Sequence, residues 1–449
     1  MYIYKKIKYW LRSPQYQLNI CLMFCLMSVL ATGAMAQGVN TGSYPYIKTS
    51  ANELRYDSTS STMHAFFDRW MELERTGHGR LNIVQIGGSH VQAGTLSHCI
   101  RMNLLKLLPV GERGLVFPYS AAAKCNNPAD YKISCKEKMQ LTRNVYKEPQ
   151  KELGVTGIAV TANDTISSIT VWNMEHRVDW HTDRVVVMGY SPEGVVPLLR
   201  IDDREVYPSY TDEATRRFVF NLHTEVDSFT VILPCDSTQT FTLTGIYLGN
   251  RKPGLTFHSI GVNGAAVPDY LDKCPRFTAD LRLLRPDMVI FGLGINDAAG
   301  NEFDTVQFRA NYLRLCDSIR SVSPNCAFVF ITNNDSFKRV KKGRYAVNAN
   351  GALAREVFYR VAKETGGAVW DQFEIMGGLH SMDKWRIDKL AQNDRVHFTR
   401  EGYTLLGNLF SEALRKELDR WRQAPAPQVY ERKDTTDKTT HLNAPYVSY

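Results

Sequence analysis

The segment from Leu81 to His90 constrains the fold more than any other part of the chain. It begins as an apolar run short enough for a buried strand, and it continues into two glycines and Ser89. Apolar residues then recur at helical spacing from Val91 to Leu108. A strand, a tight glycine turn, a serine and a helix together present a nucleophile at the edge of a parallel sheet, beside a helix N-terminus. The same stretch is also compatible with a plain turn closed by an N-capping serine.

Buried-strand runs and helical patterns alternate over much of the remaining chain. The strand-like runs are 257–262, 288–293 and 327–332, and the helical patterns are 303–319, 353–362 and 403–418. Strands that alternate with helices predict a mostly parallel sheet covered by helices on both faces. We therefore predict an α/β fold with three layers, α/β/α.

The region from about 150 to 250 has a different sequence pattern. It contains about seven short runs rich in Val, Ile, Thr and Phe, separated by turn signals such as Asn163-Asp164 and Ser191–Gly194, with no helical pattern. Such regularly interrupted short strands predict an antiparallel β-sandwich. Because the α/β pattern returns after it, we predict that this unit is inserted into the α/β domain.

Both ends of the chain differ from the globular part. Residues 1–36 combine a basic start, an apolar core from Ile20 to Leu30 and the small-residue box Ala34–Ala36, which predicts a secretory signal peptide. No later run is long enough to span a membrane, so we expect a secreted, periplasmic protein without a membrane span after cleavage. The polar, proline-bearing residues after Trp421 predict a disordered tail.

Charge and cysteine spacing exclude several functional classes. The formal net charge is +8, and removal of the four basic residues of the predicted signal leaves +4, too little for a nucleic-acid-binding protein. The seven cysteines after the signal show no CxxC spacing. We therefore predict no metal site, no cofactor and no nucleic-acid partner.

Three further motifs lie where the carboxyl edge of the predicted sheet would be. Gly261–Gly264 and Gly294–Asp297 each follow a predicted strand, and Asp394–His397 immediately precedes the last predicted helix. Ligands of parallel α/β sheets bind at the carboxyl ends of the strands. The sequence therefore predicts that these motifs meet Ser89 at one edge.

Together these residues supply what acyl transfer requires. A serine hydroxyl is a weak nucleophile and needs a base, for which His397 is the candidate, with Asp394 to fix the imidazole tautomer. The developing oxyanion needs fixed donors: the Ser89 and Gly264 backbone N–H groups and the Asn296 carboxamide. Each motif alone also has an ordinary explanation as a turn or a capping pair. Their combination predicts a serine hydrolase.

The four motifs resemble the conserved blocks of the SGNH/GDSL hydrolase superfamily, whose name lists its catalytic Ser, Gly, Asn and His. The resemblance implies a flavodoxin-like α/β/α domain with Ser89 as nucleophile, Gly264 and Asn296 as oxyanion donors, and Asp394 and His397 as the rest of the triad. The first block usually reads Gly-Asp-Ser, whereas residue 88 is Gly here. Since that acid is not part of the triad, we expect altered support of the turn rather than lost activity.

A narrower resemblance concerns the arrangement of the whole chain. The long stretch after the nucleophile helix, the inserted β unit and the segment Gly377–Trp385 resemble exported bacterial peptidoglycan O-acetylesterases, whose insert is similar to a carbohydrate-binding module. The predicted division is a signal peptide at 1–36, a discontinuous SGNH hydrolase domain at 37–135 and 255–420, a carbohydrate-binding-module-like β-sandwich at 136–254 and a polar disordered tail at 421–449.

Three residues outside these blocks are predicted substrate contacts. His90 adjoins the serine, but neighbouring side chains diverge on a turn, so we expect a loop or substrate contact rather than the base. His380 and Trp385 lie close together upstream of Asp394 and are expected to line the cleft.

The favoured function is an exported serine esterase that removes O-acetyl groups from a cell-envelope glycan, peptidoglycan, through a Ser-His-Asp triad and an acyl-enzyme. One alternative keeps the site but changes the reaction, to an SGNH-type acetyltransferase or to a lipid or thioester hydrolase. The other alternative is an inactive glycan-binding protein on a hydrolase scaffold, an interpretation that Gly88 and the β insert motivate.

Overall fold

The computed structural model describes residues 38–423, with the exception of 122–127, 129, 136, 138, 164–165, 174–177, 179 and 341–342. The predicted signal peptide, 1–36, and residues 424–449 of the predicted tail lie outside the described residues.

A six-stranded sheet forms the centre of the α/β part, in the order β1-β20-β17-β16-β2-β15. Its strands are β1 (Leu54–Arg55), β2 (Arg80–Gly87), β15 (Gly254–Gly261), β16 (Met288–Gly292), β17 (Ala327–Ile331) and β20 (Ala368–Trp370). All neighbouring strands pair in parallel except β1, which pairs antiparallel with β20 at the edge. The prediction of a mostly parallel sheet is confirmed.

Helices cover both faces of this sheet. They are α1 (Ser61–Thr76), α2 (Ser89–Gln92), α3 (Thr95–Leu104), α4 (Val267–Asp272), α5 (Phe277–Leu284), α6 (Thr305–Arg320), α7 (Asn350–Thr365), α8 (Gln372–Ile375), α9 (Ser381–Ile387) and α10 (Arg400–Gln423). Strand β16 shows why two layers form, since its successive side chains point to opposite faces. Met288 and Ile290 pack with α1, α3 and α10, whereas Val289 and Phe291 pack with α4 to α7.

The helical pattern predicted from Val91 to Leu108 is two helices rather than one. Helix α2 is a single turn that starts at Ser89, and Gly94, with a φ of 79°, separates it from α3. Only glycine adopts this left-handed conformation without strain, so the break is encoded locally. It leaves Ser89 on a short turn of its own at the end of β2.

Two antiparallel sheets occupy the chain between residues 114 and 249. One has the order β10-β9-β13-β7-β4, and the other has the order β11-β12-β8-β14-β6-β5, with β3 added to β14. Their strands are β3 (Gly114–Val116), β4 (Tyr131–Cys135), β5 (Gln140–Arg143), β6 (Ile158–Asn163), β7 (Ser167–Asn173), β8 (Thr182–Tyr190), β9 (Leu198–Ile201), β10 (Arg204–Val206), β11 (Tyr210–Asp212), β12 (Arg217–Val226), β13 (Ser228–Leu233) and β14 (Thr240–Gly249).

These sheets begin earlier in the chain than residue 136, the predicted start of the insert. Strand β3 pairs with β14, and β4 pairs with β7, so both belong to the antiparallel part. Buried side chains from both antiparallel sheets share one hydrophobic cluster with the α4–α7 face of the central sheet.

Two further details depart from the sequence analysis. A hairpin of β18 (Phe337–Arg339) and β19 (Tyr345–Val347), which was not predicted, follows β17. Helix α10 continues to Gln423, so the first three residues of the predicted tail are helical. Within the described residues, no helix has the length and apolar character needed to cross a membrane.

Candidate active site

Ser89 lies at the carboxyl end of β2, as the first residue of α2. The turn requires glycine because the backbone is crowded: a Cβ on Gly87 would lie 2.3 Å from Cγ2 of Val91. The Gly87 carbonyl is held by the Tyr270 hydroxyl at 3.0 Å and by the Val262 N–H at 3.3 Å. These contacts fix the end of β2 and leave the Ser89 side chain half-buried.

The structure brings Ser89, His397 and Asp394 into one hydrogen-bonded chain. Ser89 Oγ lies 2.7 Å from His397 Nε2, and His397 Nδ1 lies 2.7 Å from Asp394 Oδ2. An ionised carboxylate only accepts hydrogen bonds, so Nδ1 carries the proton in this pair. Nε2 is therefore the acceptor for the serine hydroxyl, which is the tautomer that a general base requires.

The Asp394–His397 segment is a tight turn built by its own carboxylate. Asp394 Oδ1 accepts the backbone N–H groups of Val396 at 2.9 Å and His397 at 3.0 Å. Partial burial raises the pKa of Asp394, but hydrogen bonds from the backbone and ring of His397 outweigh it and hold that pKa below its usual range. The carboxylate therefore stays ionised beside the imidazole.

Asn296 follows β16 and lies directly against the serine turn. A Cβ on Gly88 would lie 3.2 Å from Asn296 Nδ2, so the carboxamide packs on the residue before Ser89. Nδ2 donates one hydrogen to the Ala265 carbonyl at 2.9 Å. A carboxamide nitrogen has two hydrogens, so the second remains available to a ligand.

Gly264 lies in the loop after β15, on the other side of Asn296. Its φ of 87° is accessible to glycine without strain, and it is exposed. The loop is tied to the serine helix because Gln92 Oε1 accepts the Asn263 N–H at 2.6 Å. The backbone N–H groups of Ser89 and Gly264 donate to no acceptor among the described residues. Two amides and one carboxamide are thus available at this edge.

Asp297 anchors the Asn296 loop to helix α4. Its Oδ1 accepts the Val267 N–H at 3.1 Å, and burial raises its pKa to about 6. The Ser89, Gly264 and Asn296 loops therefore all lie at the carboxyl ends of adjacent parallel strands, and they are cross-linked by side-chain hydrogen bonds.

His90, a predicted substrate contact, faces inward. Its Nδ1 lies 2.8 Å from the Tyr403 hydroxyl, and its ring centroid lies 5.3 Å from that of His397. Burial and the neighbouring His397 lower the pKa of His90 to about 3, so its ring is neutral. Its Nε2 is buried and has no hydrogen-bond partner among the described residues. Neither ring nitrogen therefore reaches the surface where a ligand would bind.

A small cavity lies beside the serine turn, and His90 and Val91 line it. The cavity measures about 30 Å³ and is also lined by Asn333, whose Nδ2 is another buried atom without a partner in the described part of the chain. This volume is enough for a water molecule, which needs polar partners of this kind. His90 is therefore placed to support the ring of His397 from behind rather than to contact a substrate.

Trp385 and His380 have opposite environments. Trp385 is completely buried, its indole N–H donates to the Met376 carbonyl at 3.0 Å, and its ring packs on Phe398. It has no surface with which to contact a ligand, because it is part of the core beneath the His397 loop. His380 is exposed, and burial raises the pKa of Asp335, which lies near it, to about 6.

Several residues that hold the site were not singled out in the sequence. Tyr403 and Gln92 lie on helices whose apolar spacing gives no sign of their polar contacts. The β18–β19 hairpin also contacts the catalytic loop, since the Phe337 N–H donates to the Arg395 carbonyl at 3.1 Å. Its run of basic residues from Lys338 to Arg344 is the feature of the sequence that distinguishes this segment.

The described residues contain no group of three or more His, Cys, Asp or Glu side chains that could hold a metal ion. A hydroxyl, an oriented imidazole, an ionised carboxylate and nearby N–H donors together suit attack on a carbonyl carbon.

Comparisons with known proteins concern the family and the fold. Residues 236–405 match the model of the GDSL-like Lipase/Acylhydrolase family. No curated protein sequence matches the chain. A solved peptidoglycan O-acetylesterase shares 20% identity with a TM-score of 0.69, and the match covers 83% of this chain and 99% of that one.

Two other solved structures match less of the fold. An acetyl xylan esterase shares 15% identity over 36% of this chain and 81% of its own, with a TM-score of 0.29. A family two carbohydrate esterase from Cellvibrio japonicus shares 11% identity over 64% of this chain and 99% of its own, with a TM-score of 0.28. The predicted resemblance to SGNH/GDSL hydrolases and to peptidoglycan O-acetylesterases is confirmed, and it supports an acyl-ester hydrolase.

Proposed function

We propose that this chain, which resembles the SGNH/GDSL hydrolases, is an exported serine esterase that removes O-acetyl groups from peptidoglycan. The observation that carries the proposal is the hydrogen-bonded chain from Ser89 Oγ through His397 to Asp394, with both contacts at 2.7 Å. A satisfied structural serine has no need of an imidazole in this orientation, whereas a nucleophile does.

In the proposed first half-reaction, Ser89 Oγ attacks the carbonyl carbon of the acetyl ester while His397 Nε2 takes the hydroxyl proton. The carbonyl oxygen becomes an oxyanion that the Ser89 and Gly264 N–H groups and Asn296 Nδ2 stabilise. Asp394 stabilises the imidazolium without taking its proton. Collapse of the intermediate breaks the bond to the sugar oxygen, which leaves with the proton from His397 as a free hydroxyl.

In the second half-reaction, His397 activates a water molecule that attacks the acetyl-serine. The same donors stabilise the second oxyanion, and collapse releases acetate and restores the Ser89 hydroxyl. The reaction needs no redox step and no external reductant or oxidant. An acetyltransferase would differ only in the acceptor, since a sugar hydroxyl would replace water in this step.

The choice of a glycan substrate depends on the antiparallel part of the chain. We propose that the two sheets between residues 114 and 249 form a carbohydrate-binding-module-like β-sandwich inserted in the hydrolase domain. The position of these sheets supports a role in holding the substrate, because the Arg143 guanidinium at the end of β5 donates to the Asn263 carbonyl beside Gly264. The insert thus borders the proposed site, where it can hold a polymer whose ester lies at Ser89.

The proposed location follows from the proposed substrate and from the chain start. Peptidoglycan lies outside the cytoplasm, so its esterase must be exported, and residues 1–36 have the composition of a signal peptide. We propose a secreted, periplasmic protein with the hydrolase domain in two segments and a polar tail after the last helix.

The test compares acetate release from three substrates. The wild-type protein is incubated with O-acetylated peptidoglycan, with acetylated xylan and with 4-nitrophenyl acetate, and Ser89→Ala is the matched variant. We expect wild-type turnover on peptidoglycan to exceed that on xylan, and we expect Ser89→Ala to lower turnover by roughly 10⁶-fold on every ester, as in an analogous serine hydrolase.

Each rival function predicts a different outcome. Equal activity of wild type and Ser89→Ala would reject the nucleophile assignment. Activity on long-chain esters or thioesters but not on acetyl groups would indicate a lipid or thioester hydrolase, and acetyl transfer to a sugar acceptor would indicate a transferase. Glycan binding without any turnover would indicate an inactive binding protein.

A further inference from the structure

The β18–β19 hairpin connects two of the loops that form the proposed site. Where its first strand begins, the Phe337 N–H donates to the Arg395 carbonyl at 3.1 Å, inside the Asp394–His397 turn. Asn348 directly follows its second strand, β19, and the Asn348 Nδ2 donates to the Ala298 carbonyl at 3.0 Å, two residues after Asn296. The hairpin therefore forms the rim between the base and one proposed oxyanion donor.

Aromatic and ionic contacts hold this rim to the catalytic turn. The Arg395 guanidinium lies between two hairpin rings, 5.2 Å from the Phe337 centroid and 4.7 Å from the Tyr345 centroid. Asp383 of α9 neutralises Arg395 at 2.8 Å. The Arg395 guanidinium thus contacts the hairpin rings and is paired with Asp383, so its charge is not available to a ligand.

The remaining charges of the hairpin are different. From residue 337 to residue 347 the sequence has five basic residues and no acidic one. Arg339 and Arg344 are exposed, and neither forms an ion pair with a carboxylate of the described residues. Lys338 donates to the Gly300 carbonyl, a neutral partner that leaves its charge uncompensated.

A third arginine lies on the other side of the proposed site. Arg143 donates to the Asn263 carbonyl next to Gly264, again a neutral partner, and its Nε has no acceptor among the described residues. Arginine side chains thus flank both ends of the row of loops that carries Ser89, Asn296 and Gly264. An unpaired guanidinium presents a planar fork that fits a carboxylate with two hydrogen bonds.

We propose that Arg339 and Arg344, with Arg143 opposite, bind carboxylate groups of an acidic glycan strand while its acetyl ester lies at Ser89. The inference rests on the proposed function and deepens it, because it names the residues that would hold the carboxylates of the peptidoglycan substrate. Each exposed arginine–carboxylate pair contributes little binding free energy alone, but the contributions of several pairs along one polymer add up. Their sum decreases as the salt concentration rises, because salt screens the charges. The hairpin then selects charged over neutral acetylated polymers.

The test measures binding rather than turnover, so it does not depend on catalysis. Ser89→Ala protein is sedimented with peptidoglycan sacculi, either untreated or with their carboxylates converted to neutral amides. The charge-reversal pair Arg339→Glu and Arg344→Glu is compared with Arg75→Glu and Arg282→Glu, two exposed arginines near the opposite edge of the sheet. Thermal melting verifies that both double variants are folded.

We expect the double variant with Arg339→Glu and Arg344→Glu to bind sacculi at least tenfold more weakly than the Ser89→Ala parent at low salt. The control double variant should bind like the parent. Amidation of the sacculi should weaken binding of the parent to a similar degree and remove the difference between the two double variants. The milder pair Arg339→Gln and Arg344→Gln should fall between the two, which covers the case in which charge reversal disturbs folding.

Equal binding of the hairpin pair and the parent would overturn the inference, as would equal binding to amidated and untreated sacculi. Failure of the proposed function is a separate result, because it appears as no acetate release from the wild-type protein. Carboxylate-dependent binding without esterase activity would keep the inference and reject the esterase.

Discussion

Gly88 and Asn296 lie so close together that a Cβ on residue 88 would be 3.2 Å from Asn296 Nδ2. The carboxamide is held there by its hydrogen bond to the Ala265 carbonyl at 2.9 Å. The SGNH/GDSL hydrolases that this chain resembles usually have aspartate before the serine, whereas here residue 88 has no side chain to press on the proposed oxyanion donor. Glycine at 88 is therefore part of the packing around the proposed site.

Gly88→Ala should lower kcat by about tenfold and change the melting temperature little. The added methyl group must push the Asn296 carboxamide by a few tenths of an ångström, and complete loss of such a donor typically costs about 10²–10³ in rate. The control is Gly42→Ala, where the nearest atom to the new methyl group is an Asn40 side-chain oxygen at 3.4 Å. A Gly88→Ala enzyme with wild-type kcat would show that Asn296 does not act on the oxyanion.

Asp394→Asn should reduce kcat by a factor on the order of 10⁴, as the equivalent change does in a well-studied serine protease. The amide nitrogen donates where the carboxylate accepted, so His397 would lose the tautomer in which Nε2 accepts the serine hydroxyl. Asp388→Asn is the matched control, since Asp388 lies six residues earlier in the chain and accepts a hydrogen bond from the Tyr46 hydroxyl instead of from His397. Similar losses of kcat in both variants would mean that kcat depends on negative charge in this part of the chain and not on the hydrogen bond between Asp394 and His397.

His90 and Tyr403 should act as one unit in positioning His397. We expect Tyr403→Phe and His90→Gln each to lower kcat by about three- to tenfold, with little change in KM, because both lie behind the triad. If they act through the 2.8 Å contact between them, the double variant should be no worse than the poorer single one.

Tyr359→Phe serves as the control for loss of a tyrosine hydroxyl, since its hydroxyl donates to Asp371 away from the triad. Losses that multiply in the double variant of His90 and Tyr403 would contradict the shared role, and so would a rise in KM with unchanged kcat.

His258 should make the protein less stable in acid. It is completely buried in β15, its Nδ1 accepts the Leu115 N–H at 3.1 Å, and burial lowers its pKa to about 3. Because the unfolded chain takes up this proton at higher pH than the folded one, stability falls as pH drops from about 6.5 toward 3, by up to about 4–5 kcal/mol.

His258→Gln keeps an acceptor but removes the titration. Urea unfolding at several pH values should show that the stability difference between wild type and variant changes across this interval. Two curves that stay parallel from pH 6.5 to pH 3.5 would rule out His258 as the group concerned.

The sequence was most informative where a motif coincides with the end of a buried strand. Ser89 and Asn296 could be assigned to one edge because parallel strands end together, and His397 because its turn precedes the last helix. The strand runs of the antiparallel part were also visible as short β-branched segments. In each case the local pattern and the tertiary role agree.

Side-chain direction and distant pairing were not predictable in this way. Trp385 is near the Asp394–His397 turn in sequence, yet its ring points into the core, where it packs against Phe398. Strand β3 pairs with β14, which lies more than one hundred residues later, and a strand of only three residues gives no indication of its partner. The inward turn of His90 likewise depends on Tyr403, which lies 313 positions away.

The central claim is that Ser89 is a nucleophile activated by His397, and covalent labelling tests it most directly. The folded protein is treated with a fluorophosphonate, and the modified peptide is identified by mass spectrometry. The account predicts one adduct per chain, on Ser89, which is absent in Ser89→Ala and strongly slowed in His397→Ala. A folded wild-type protein that remains unlabelled, or that is labelled at another residue, would contradict it.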